Sequence, residues 1–498
     1  MESRAQMNML PRLKPREFYD LVIEVAIVRP GPIQGDMVHP YLRRRSGAEA
    51  VAFPSPAPEH GPSDELYRVL HKTKGVPLFQ EQAMRLAIVA AKFTPDEANG
   101  LRRAMATFRN TGSIDRFRDK LISGMTARGY TRDFAERCFQ QIEGFGSYGF
   151  PESHAASFAH LVYISAWIKW HHPVAFGCAL LNSQPMGFYA PAEIVRDARE
   201  HGVEARAPDV NFSDWDNLLE PGERSLSIRL GFRQIDGFHQ DWADAIAATR
   251  GAGFPDFREF VRRAKLRKPA LITLAEADAF RSLGLDRREA LWAVRRLAGE
   301  ENLPLFAVRD ESDQPDEITA PLPAIPKSEQ VVADYQTLRL SLKGYPTEFL
   351  RERFARERII TCHEISEAKD GARVKCAGVV LVRQMPGTAG VVFVTLSDET
   401  GICNVVIWPK LYESFRKEIV GARLMLVQGK IQRSPEAVIH LVAERISDRT
   451  ADLDLLSDTR MPEMPGHFDD IVYPRRDPRG MHRHPREMKI LPKSRDFH

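Results

Sequence analysis

Cysteine is scarce in this sequence, and the few cysteines present are scattered. There are five of them, Cys138, Cys178, Cys362, Cys376 and Cys403, and none stands in a CxxC pair or beside a matching pair of histidines. An odd number of scattered thiols excludes a disulfide framework and a zinc site from the expected features.

Long apolar runs are missing as well. No stretch approaches the roughly 18 unbroken apolar residues that a membrane-spanning helix requires, and the opening residues MESRAQMNML lack the basic-then-apolar pattern of a secretory signal. We therefore expect a cytoplasmic protein without membrane contact. The sequence also contains no GxxxxGK[ST] loop, so it does not support ATP hydrolysis.

A large net charge is absent, but arginine is clustered. The 70 Lys and Arg nearly balance the 67 Asp and Glu, which leaves a formal charge of +3. Between Gly100 and Arg137 nine basic residues face four acids, and from Tyr473 to His498 eight face three. Such clusters indicate local contact with a polyanion, although a solvated helix face explains a charge run equally well.

The length of 498 residues predicts two to four domains. The first two hundred residues are mostly of helical pattern, and Thr94–Pro95 opens a helix with Asp96 and Glu97 in its first turn. Before it, VRPGPIQGDMVHP is a loop whose shape Pro and Gly fix, next to Arg29.

Two similar units follow between about residues 225 and 300. Each pairs short amphipathic helices around a glycine-bearing turn, at Gly237 and at Gly284, which is the pattern of a tandem helix-hairpin-helix. Such turns offer backbone N–H groups to a phosphate. For the turn at Gly284, plain helix packing is an equally good explanation.

In the last third of the sequence the spacing of apolar residues changes from a helical to a strand pattern. Residues 309–330 are acidic and proline-rich, which predicts a linker. Residues 372–446 contain β-branched runs separated by turns such as LSDETG, which predicts a five-stranded OB-fold barrel. OB barrels bind single-stranded nucleic acid or serve as protein docking units, and the sequence leaves both open.

Several long segments, in order, resemble one family. These are RPGPIQGDMVHPYLRRR (29–45), PLFQEQAMRLA (77–87), LRRAMATFRNTG (101–112), GFGSYGFPESHAASFAHLVYISAWIKWHHP (144–173) and PKSRDFH (492–498). They resemble the alpha subunit of bacterial C-family DNA polymerases, and most of all its error-prone, damage-inducible ImuC-type branch. The resemblance implies translesion DNA synthesis, damage-induced mutagenesis, and binding of DNA and deoxynucleoside triphosphate.

The resemblance also assigns nucleotide-binding residues. Arg102 and Arg103 match the arginines that face the incoming triphosphate, a task suited to a permanently charged guanidinium. In the GSYGFPESH loop, Tyr148, Gly149 and Phe150 would shape a nucleotide pocket, and His154 matches a position near the sugar. The alternatives are that one arginine only pairs with a nearby acid and that His154 is a packing residue.

Further contacts follow from the same resemblance. The candidate DNA-binding residues are Arg29, Arg43, Arg44, Arg109, Gly237 and Gly284. The candidate sliding-clamp segment is Asn302, Leu303, Leu305 and Phe306, where Asn302 stands in place of the usual Gln, so an apolar anchor on the chain's own surface is an equal alternative. A Y-family-like accessory protein is the expected further partner, and the basic tail could contact it or DNA.

Catalytic carboxylates are not evident. Asp214/Asp216 and Asp452/Asp454 have the spacing that two metal ions need, but they lie in turn-like contexts. The resemblance places the catalytic aspartates in a palm preceding the first residue here. We expect no catalytic residue and no metal in this chain alone, Mg²⁺ in the complete enzyme, and no primer extension by the isolated chain.

The predicted architecture is a multidomain α+β chain. We expect helical fingers over 1–205, a tandem helix-hairpin-helix over 206–300, a linker with the clamp-like segment over 301–371, an OB-fold over 372–447 and a basic tail over 448–498. The alternative function is a non-catalytic DNA-binding or scaffold protein that uses the hairpins and the barrel.

Overall fold

The computed structural model describes residues 4–28, 40–106, 117–144, 151–186, 189–223, 225–297, 323–385, 390–434, 438–457 and 467–468. These residues form two compact units, the first up to Trp167 and the second from Ile168 onwards. The boundary falls inside one long helix. Within the described ranges, no helix combines the length and apolar character needed to cross a membrane.

The first unit is helical, as the sequence predicts. Its helices are α1 (Arg4–Leu13), α2 (Phe18–Ile27), α3 (Pro40–Arg45), α4 (Glu65–Leu70), α5 (Gln80–Ala91), α6 (Pro95–Ala106), α7 (Arg118–Ala127), α8 (Arg132–Gly144) and the start of α9 (Glu152–His171). The predicted start of α6 is confirmed: Thr94 Oγ1 accepts from Glu97 N, and Glu97 Oε2 accepts from Thr94 N. This reciprocal pair satisfies two N–H groups at the start of the helix.

Two apolar clusters hold the first unit together. One joins α4 to α8 around fully buried side chains such as Leu86, Met105 and Phe139. The other joins α1 to α3 with the start of α9 around Tyr41 and Phe79. Burial of large apolar side chains in each cluster is the main favourable free energy that fixes these helices.

The second unit begins with a helical region that contains a small sheet. Its helices are α10 (Pro173–Asn182), α11 (Pro191–Glu200), α12 (Gln240–Arg250), α13 (Phe257–Ala264), α14 (Lys268–Glu276) and α15 (Arg287–Arg296), and its strands are β1 (Ala205–Arg206), β2 (Leu218–Pro221) and β3 (Leu226–Arg229). Strand β3 lies in the middle, parallel to β1 and antiparallel to β2. A continuous core, with Phe232, Phe260 and Phe280 fully buried, joins these elements.

The described part of the predicted linker is folded. Residues 323–371 contain α16 (Lys327–Thr337), α17 (Arg351–Arg356) and α18 (Cys362–Glu367). Val331, Val332 and Phe354 are fully buried against barrel residues. The structure differs from the linker prediction here because apolar residues at helical spacing follow directly after the acidic, proline-rich stretch.

The predicted OB-fold barrel is confirmed. Its strands are β4 (Arg373–Gln384), β5 (Val392–Asp398), β6 (Gly401–Ile407), β7 (Leu424–Arg433) and β8 (Ile439–Asp448), with α19 (Pro409–Ser414) and α20 (Arg416–Gly421) between β6 and β7. The sheet closes in the order β4, β5, β6, β8, β7 and back to β4. A two-residue strand, β9 (His467–Phe468), lies parallel to β4.

The predicted turn LSDETG joins β5 to β6. The carboxylate of Asp398 accepts from Thr400 N at 2.8 Å and from Gly401 N at 3.1 Å, which fixes the turn. Its other oxygen accepts from Cys362 N, and Arg351 Nη2 lies 3.0 Å away. One buried carboxylate therefore fastens both α17 and α18 to the barrel.

Candidate nucleic-acid interface

The first hairpin turns at Gly237, after a single 3-10 turn at Phe232–Gln234. Gly237 has φ +76°, and a Cβ placed there would meet no atom within 4 Å. Its neighbours Ile235 and Phe238 are buried, whereas Gly237 is exposed. The apolar neighbours thus anchor an exposed turn, and a glycine there lets a ligand approach the backbone closely.

Helix α12 begins three residues after Gly237. Its N-cap residue, His239, makes no side-chain cap hydrogen bond, and Asp241 is the acid in the first turn. The first N–H groups of a helix have no partner within the helix. Without a side-chain cap from His239, this helix start is suited to an anion.

The second hairpin has the same turn but a different helix start. Gly284 has φ +78° with open space around it. Helix α15, however, begins with a capping box in which Asp286 accepts from Glu289 N at 2.9 Å and Glu289 accepts from Asp286 N at 2.8 Å. Two carboxylates already occupy this helix start, so it is less suited to a phosphate than the start of α12.

Carboxylates hold both hairpins in place, and only the one at the second hairpin, Asp209, is buried. Asp209 accepts from Ser282 N at 3.0 Å and from Ser282 Oγ at 2.6 Å, which fastens the turn before Gly284. Asp236 pairs with Arg339 at 2.6 Å beside the first turn. Sequence reasoning missed both pairs, because partners 73 and 103 residues apart leave no local signal.

The outer face of the barrel carries a row of side chains that crosses all five strands. Strand pairing aligns Phe393, Val406, Val442, Lys430 and Arg373 in that order. Their neighbours along each strand point into the barrel core. At one end of the row Phe393 and Val442 are half-buried and Val406 is buried, and at the other end Lys430 and Arg373 are exposed. Aromatic and cationic side chains are the two chemistries that hold a single nucleic-acid strand.

Arg102 and Arg103 lie on α6, as predicted. The guanidinium of Arg102 is half-buried and donates from Nε and Nη2 to Asn99 Oδ1, at 3.1 Å each. Arg103 is exposed. The two arginines therefore point in different directions, and their contact with a triphosphate stays a prediction.

His154 is exposed near the start of α9, and its ring lies 4.6 Å from that of Phe158. The helix start is anchored on both sides: Tyr19 Oη donates to Glu152 Oε1 at 2.6 Å, and Glu152 N donates to Glu81 Oε2 at 3.0 Å. Burial and the bond to Glu152 raise the pKa of Tyr19 well above its usual 10. Tyr19 therefore stays a neutral donor.

Arg102 and His154 lie on helices that belong to different apolar clusters. Helix α6 packs in the cluster of α4 to α8, whereas the start of α9 packs with α1 to α3. Helix α5 contacts both helices. Its Glu81 accepts a hydrogen bond from the backbone of Glu152 at the start of α9, and α5 also packs against α6. A shared nucleotide cleft between these two residues is a prediction that the described contacts leave untested.

Arg43 and Arg44 both pair with Glu49, at 2.9 and 2.8 Å. Arg44 also donates to the carbonyl of Lys74 at 2.9 Å, and 17% of its side chain is exposed. These contacts give Arg44 a structural task, and DNA contact by either residue stays a prediction. The predicted site residues that lie outside the described part of the chain are Arg29, Arg109, Tyr148, Gly149, Phe150, Asn302, Leu303, Leu305 and Phe306.

Three of the four aspartates in the candidate pairs form ion pairs, whereas Asp454 is exposed. Asp214 pairs with Arg250 at 3.0 Å and Asp216 with Arg233 at 2.5 Å. Asp452 is buried and pairs with Arg449 at 2.6 Å. In the ranges that the structure covers, no group of three or more His, Cys, Asp or Glu is arranged to hold a metal ion.

Comparisons with known proteins agree with this arrangement. Residues 1–129 match the bacterial DNA polymerase III alpha subunit finger domain, residues 202–290 a helix-hairpin-helix motif, and residues 374–449 an OB-fold nucleic acid binding domain. The three matched regions follow one another in the same order as the helical first unit, the hairpins and the barrel of the structure.

Over its whole length the chain is similar to error-prone DNA polymerases. It is 59% identical over 563 residues to the error-prone DNA polymerase of Bradyrhizobium diazoefficiens, and the match covers 100% of this chain and 49% of that protein. Identity is 61% over 533 residues in Rhodopseudomonas palustris and 60% over 500 residues in Brucella abortus, where the matches cover 46% and 45% of the relatives. The chain thus spans about half the length of the curated relatives it matches.

Proposed function

We propose that this chain is the part of an error-prone DNA polymerase that binds primer-template DNA and the incoming nucleotide. The observation that carries the proposal is the first hairpin, where Gly237 opens the backbone to solvent directly before a helix start without a side-chain cap. The match to error-prone polymerases over the whole chain supports the same reading.

Duplex DNA would lie along the hairpins. A phosphate at the turn of Gly237 accepts hydrogen bonds from backbone N–H groups and is favoured by the positive end of the α12 dipole. Such contacts carry no sequence information, which suits a polymerase that must follow any template. The basic end of the barrel row, Lys430 and Arg373, would bind the unpaired strand.

The hairpin assignment can be tested by substituting the turn glycines. Gly237→Ala and Gly284→Ala should weaken duplex binding, measured by fluorescence anisotropy with a labelled primer-template, and Gly237→Ala should weaken it more. Gly202→Ala is the matched control, because Gly202 also has φ +78° and open space, but lies outside both hairpins. Equal affinity in all three variants would contradict the assignment.

The nucleotide would be bound by the first unit. We assign the triphosphate to Arg102 and Arg103 and the sugar to His154, together with Tyr148, Gly149 and Phe150. Arg102→Ala should weaken binding of a fluorescent deoxynucleoside triphosphate about tenfold or more, since a hydrogen bond to a charged group contributes roughly 1.5–3 kcal/mol. Arg132→Ala removes an exposed arginine of the same unit and is the control.

Nucleotidyl transfer also requires carboxylates that bind metal ions. Nucleotidyl transfer by two Mg²⁺ ions needs clustered carboxylates, and the described residues do not fit that requirement. We propose that binding is the task of this chain and that the metal-binding carboxylates of the complete enzyme are supplied elsewhere. Primer extension by the chain alone with Mg²⁺ would contradict this division.

Further partners are proposed on the sequence alone. Asn302, Leu303, Leu305 and Phe306 are assigned to a sliding clamp, and residues 473–498 to a Y-family-like accessory protein or to DNA. Pull-down experiments can test the two assignments separately. The variant Leu305→Ala tests binding of the clamp, and the chain ending at residue 472 tests binding of the accessory protein and of DNA, each compared with the unsubstituted chain. Retention of clamp binding by Leu305→Ala would contradict the first.

A further inference from the structure

One end of the helix-hairpin-helix region carries several cations and an exposed tryptophan. Lys268 Nζ lies 3.3 Å from the carbonyl of Arg295 and 3.2 Å from that of Leu297, so the start of α14 meets the end of α15. The segments 265–268 and 292–297 together contain Lys265, Arg267, Lys268, Arg295 and Arg296 and no acid. We call these five residues and Trp292 the Trp292 surface.

Packing in the apolar core does not account for the tryptophan at position 292. It is 51% exposed, whereas its helix neighbours Leu291 and Leu297 pack against the core of the second unit. On α15, Arg295 and Arg296 are three and four residues from Trp292, so they lie beside it on the same side of the helix. Both arginines are exposed.

The acids of this hairpin, Glu276, Asp278, Asp286 and Glu289, lie at its other end. Asp286 and Glu289 form the capping box at the start of α15. Asp278 is buried against Arg281 and Lys343. Trp292 is five residues and Arg296 nine residues after Arg287, the first residue of α15, so they lie about 8 Å and about 14 Å along the helix from its start. Among the described residues at this end, the exposed charged side chains are Lys265, Arg267, Arg295 and Arg296.

We propose that the Trp292 surface binds unpaired, single-stranded DNA. The indole offers a flat face on which any base can stack, and the surrounding cations neutralise successive phosphates. A duplex cannot use such a face, because its bases are already stacked. The inference rests on the proposal that the chain binds DNA, and it adds a contact for the single strand that is separate from the hairpins and the barrel row.

Fluorine NMR gives a direct test on the full chain. The sequence contains six tryptophans. With 5-fluorotryptophan incorporated throughout, Trp292→Phe identifies the resonance of Trp292. Addition of an oligothymidylate should shift that resonance, whereas a blunt duplex of equal phosphate concentration should leave it in place. An unmoved Trp292 resonance at saturating oligothymidylate overturns the proposal.

Affinity measurements give a second readout. Trp292→Ala should weaken oligothymidylate binding about fivefold or more and leave duplex binding unchanged, and Trp292→Phe should retain most of the affinity. Arg295→Ala should lower the dependence of log K on log salt by about 0.7, the value for one phosphate of a single strand. Arg356→Ala, an exposed arginine on α17, is the charge-matched control.

The outcomes separate the two proposals. If neither duplex nor single strand binds to the unsubstituted chain, the proposed function fails. If both bind and the Trp292 and Arg295 variants behave like Arg356→Ala, only the proposal for the Trp292 surface fails.

Discussion

Glu65 and Arg128 form a buried ion pair that fixes the first unit. Arg128 donates to the two oxygens of Glu65 at 2.6 and 2.8 Å, and Tyr130 Oη donates to the same carboxylate at 2.7 Å. Both charged side chains are about 5% exposed. A charge that is buried this deeply is stable only while its partner is present.

Glu65→Gln should therefore destabilise the chain strongly. Loss of the carboxylate leaves the Arg128 guanidinium buried without a counter-charge, which costs about 3–5 kcal/mol. Glu136→Gln removes the exposed pair with Arg132 and should cost less than about 1 kcal/mol. Urea unfolding measures both values, and equal destabilisation by the two variants would refute this account of Glu65.

Glu24 is the opposite case, a buried carboxyl without a partner. It is 0% exposed, and among the described residues neither of its oxygens has a hydrogen-bond partner. Burial raises the pKa of Glu24 from 4.5 to about 7. Between these two pH values the folded chain keeps the proton and the unfolded chain releases it, so the folded state loses stability as the pH rises from 4.5 through 7.

Glu24→Gln should remove this part of the pH dependence, because glutamine stays neutral at every pH. The variant should gain stability relative to the unsubstituted chain as the pH is raised from about 5 to about 8. Glu352→Gln, at a side chain that is 92% exposed, is the control. Parallel stability profiles for Glu24→Gln and the unsubstituted chain would show that Glu24 does not titrate in this range.

Among the elements, α16 connects the hairpins to the barrel region. Asp334 on α16 is buried and receives Arg287 Nη2 at 2.5 Å, Lys343 Nζ at 3.0 Å and Ser341 Oγ at 2.7 Å. Val331 and Val332 on the same helix pack in the cluster that contains barrel residues. The helix is thus fastened by charge to α15 and by apolar contact to the barrel.

Asp334→Ala should loosen this connection. Arg287, itself about 5% exposed, would be left without its counter-charge, and amide hydrogen exchange should accelerate in α16 and at the start of α15. The first unit and the strands β5 and β6 should exchange as before. Unchanged protection of α16 would mean that its apolar contacts alone hold it.

The sequence predicts the elements better than their connections. The turn glycines, the start of α6 and the strand periods of the barrel are local signals, and the structure confirms them. The sequence does not predict helix α16, because the apolar residues at helical spacing directly follow an acidic, proline-rich stretch that is typical of a linker. The pair of Glu65 and Arg128, 63 residues apart, has no local signal at all. In the candidate site, the turn geometry could be predicted from the sequence. That α15 begins with a capping box and α12 without a side-chain cap is visible only in the structure.

At the scale of the whole molecule, the proposed DNA binding depends on where the cationic side chains lie. A formal charge of +3 gives little general attraction to DNA. On the proposal, binding comes from local features, namely the Gly237 turn, the basic end of the barrel row and the Trp292 surface. The cations of the last two would displace counterions from DNA phosphates, so their sum would appear in the salt dependence of binding.

The affinity of the chain for a primer-template as a function of salt concentration tests the central claim most directly. With about 0.9 lost from log K per tenfold rise in salt for each neutralised phosphate of a duplex, the proposal predicts a slope of about −3 or steeper. The combined variant Gly237→Ala/Gly284→Ala should lower the affinity at each salt concentration more than Gly202→Ala does. A flat dependence, or no measurable binding at low salt, would contradict the claim that this chain binds the DNA.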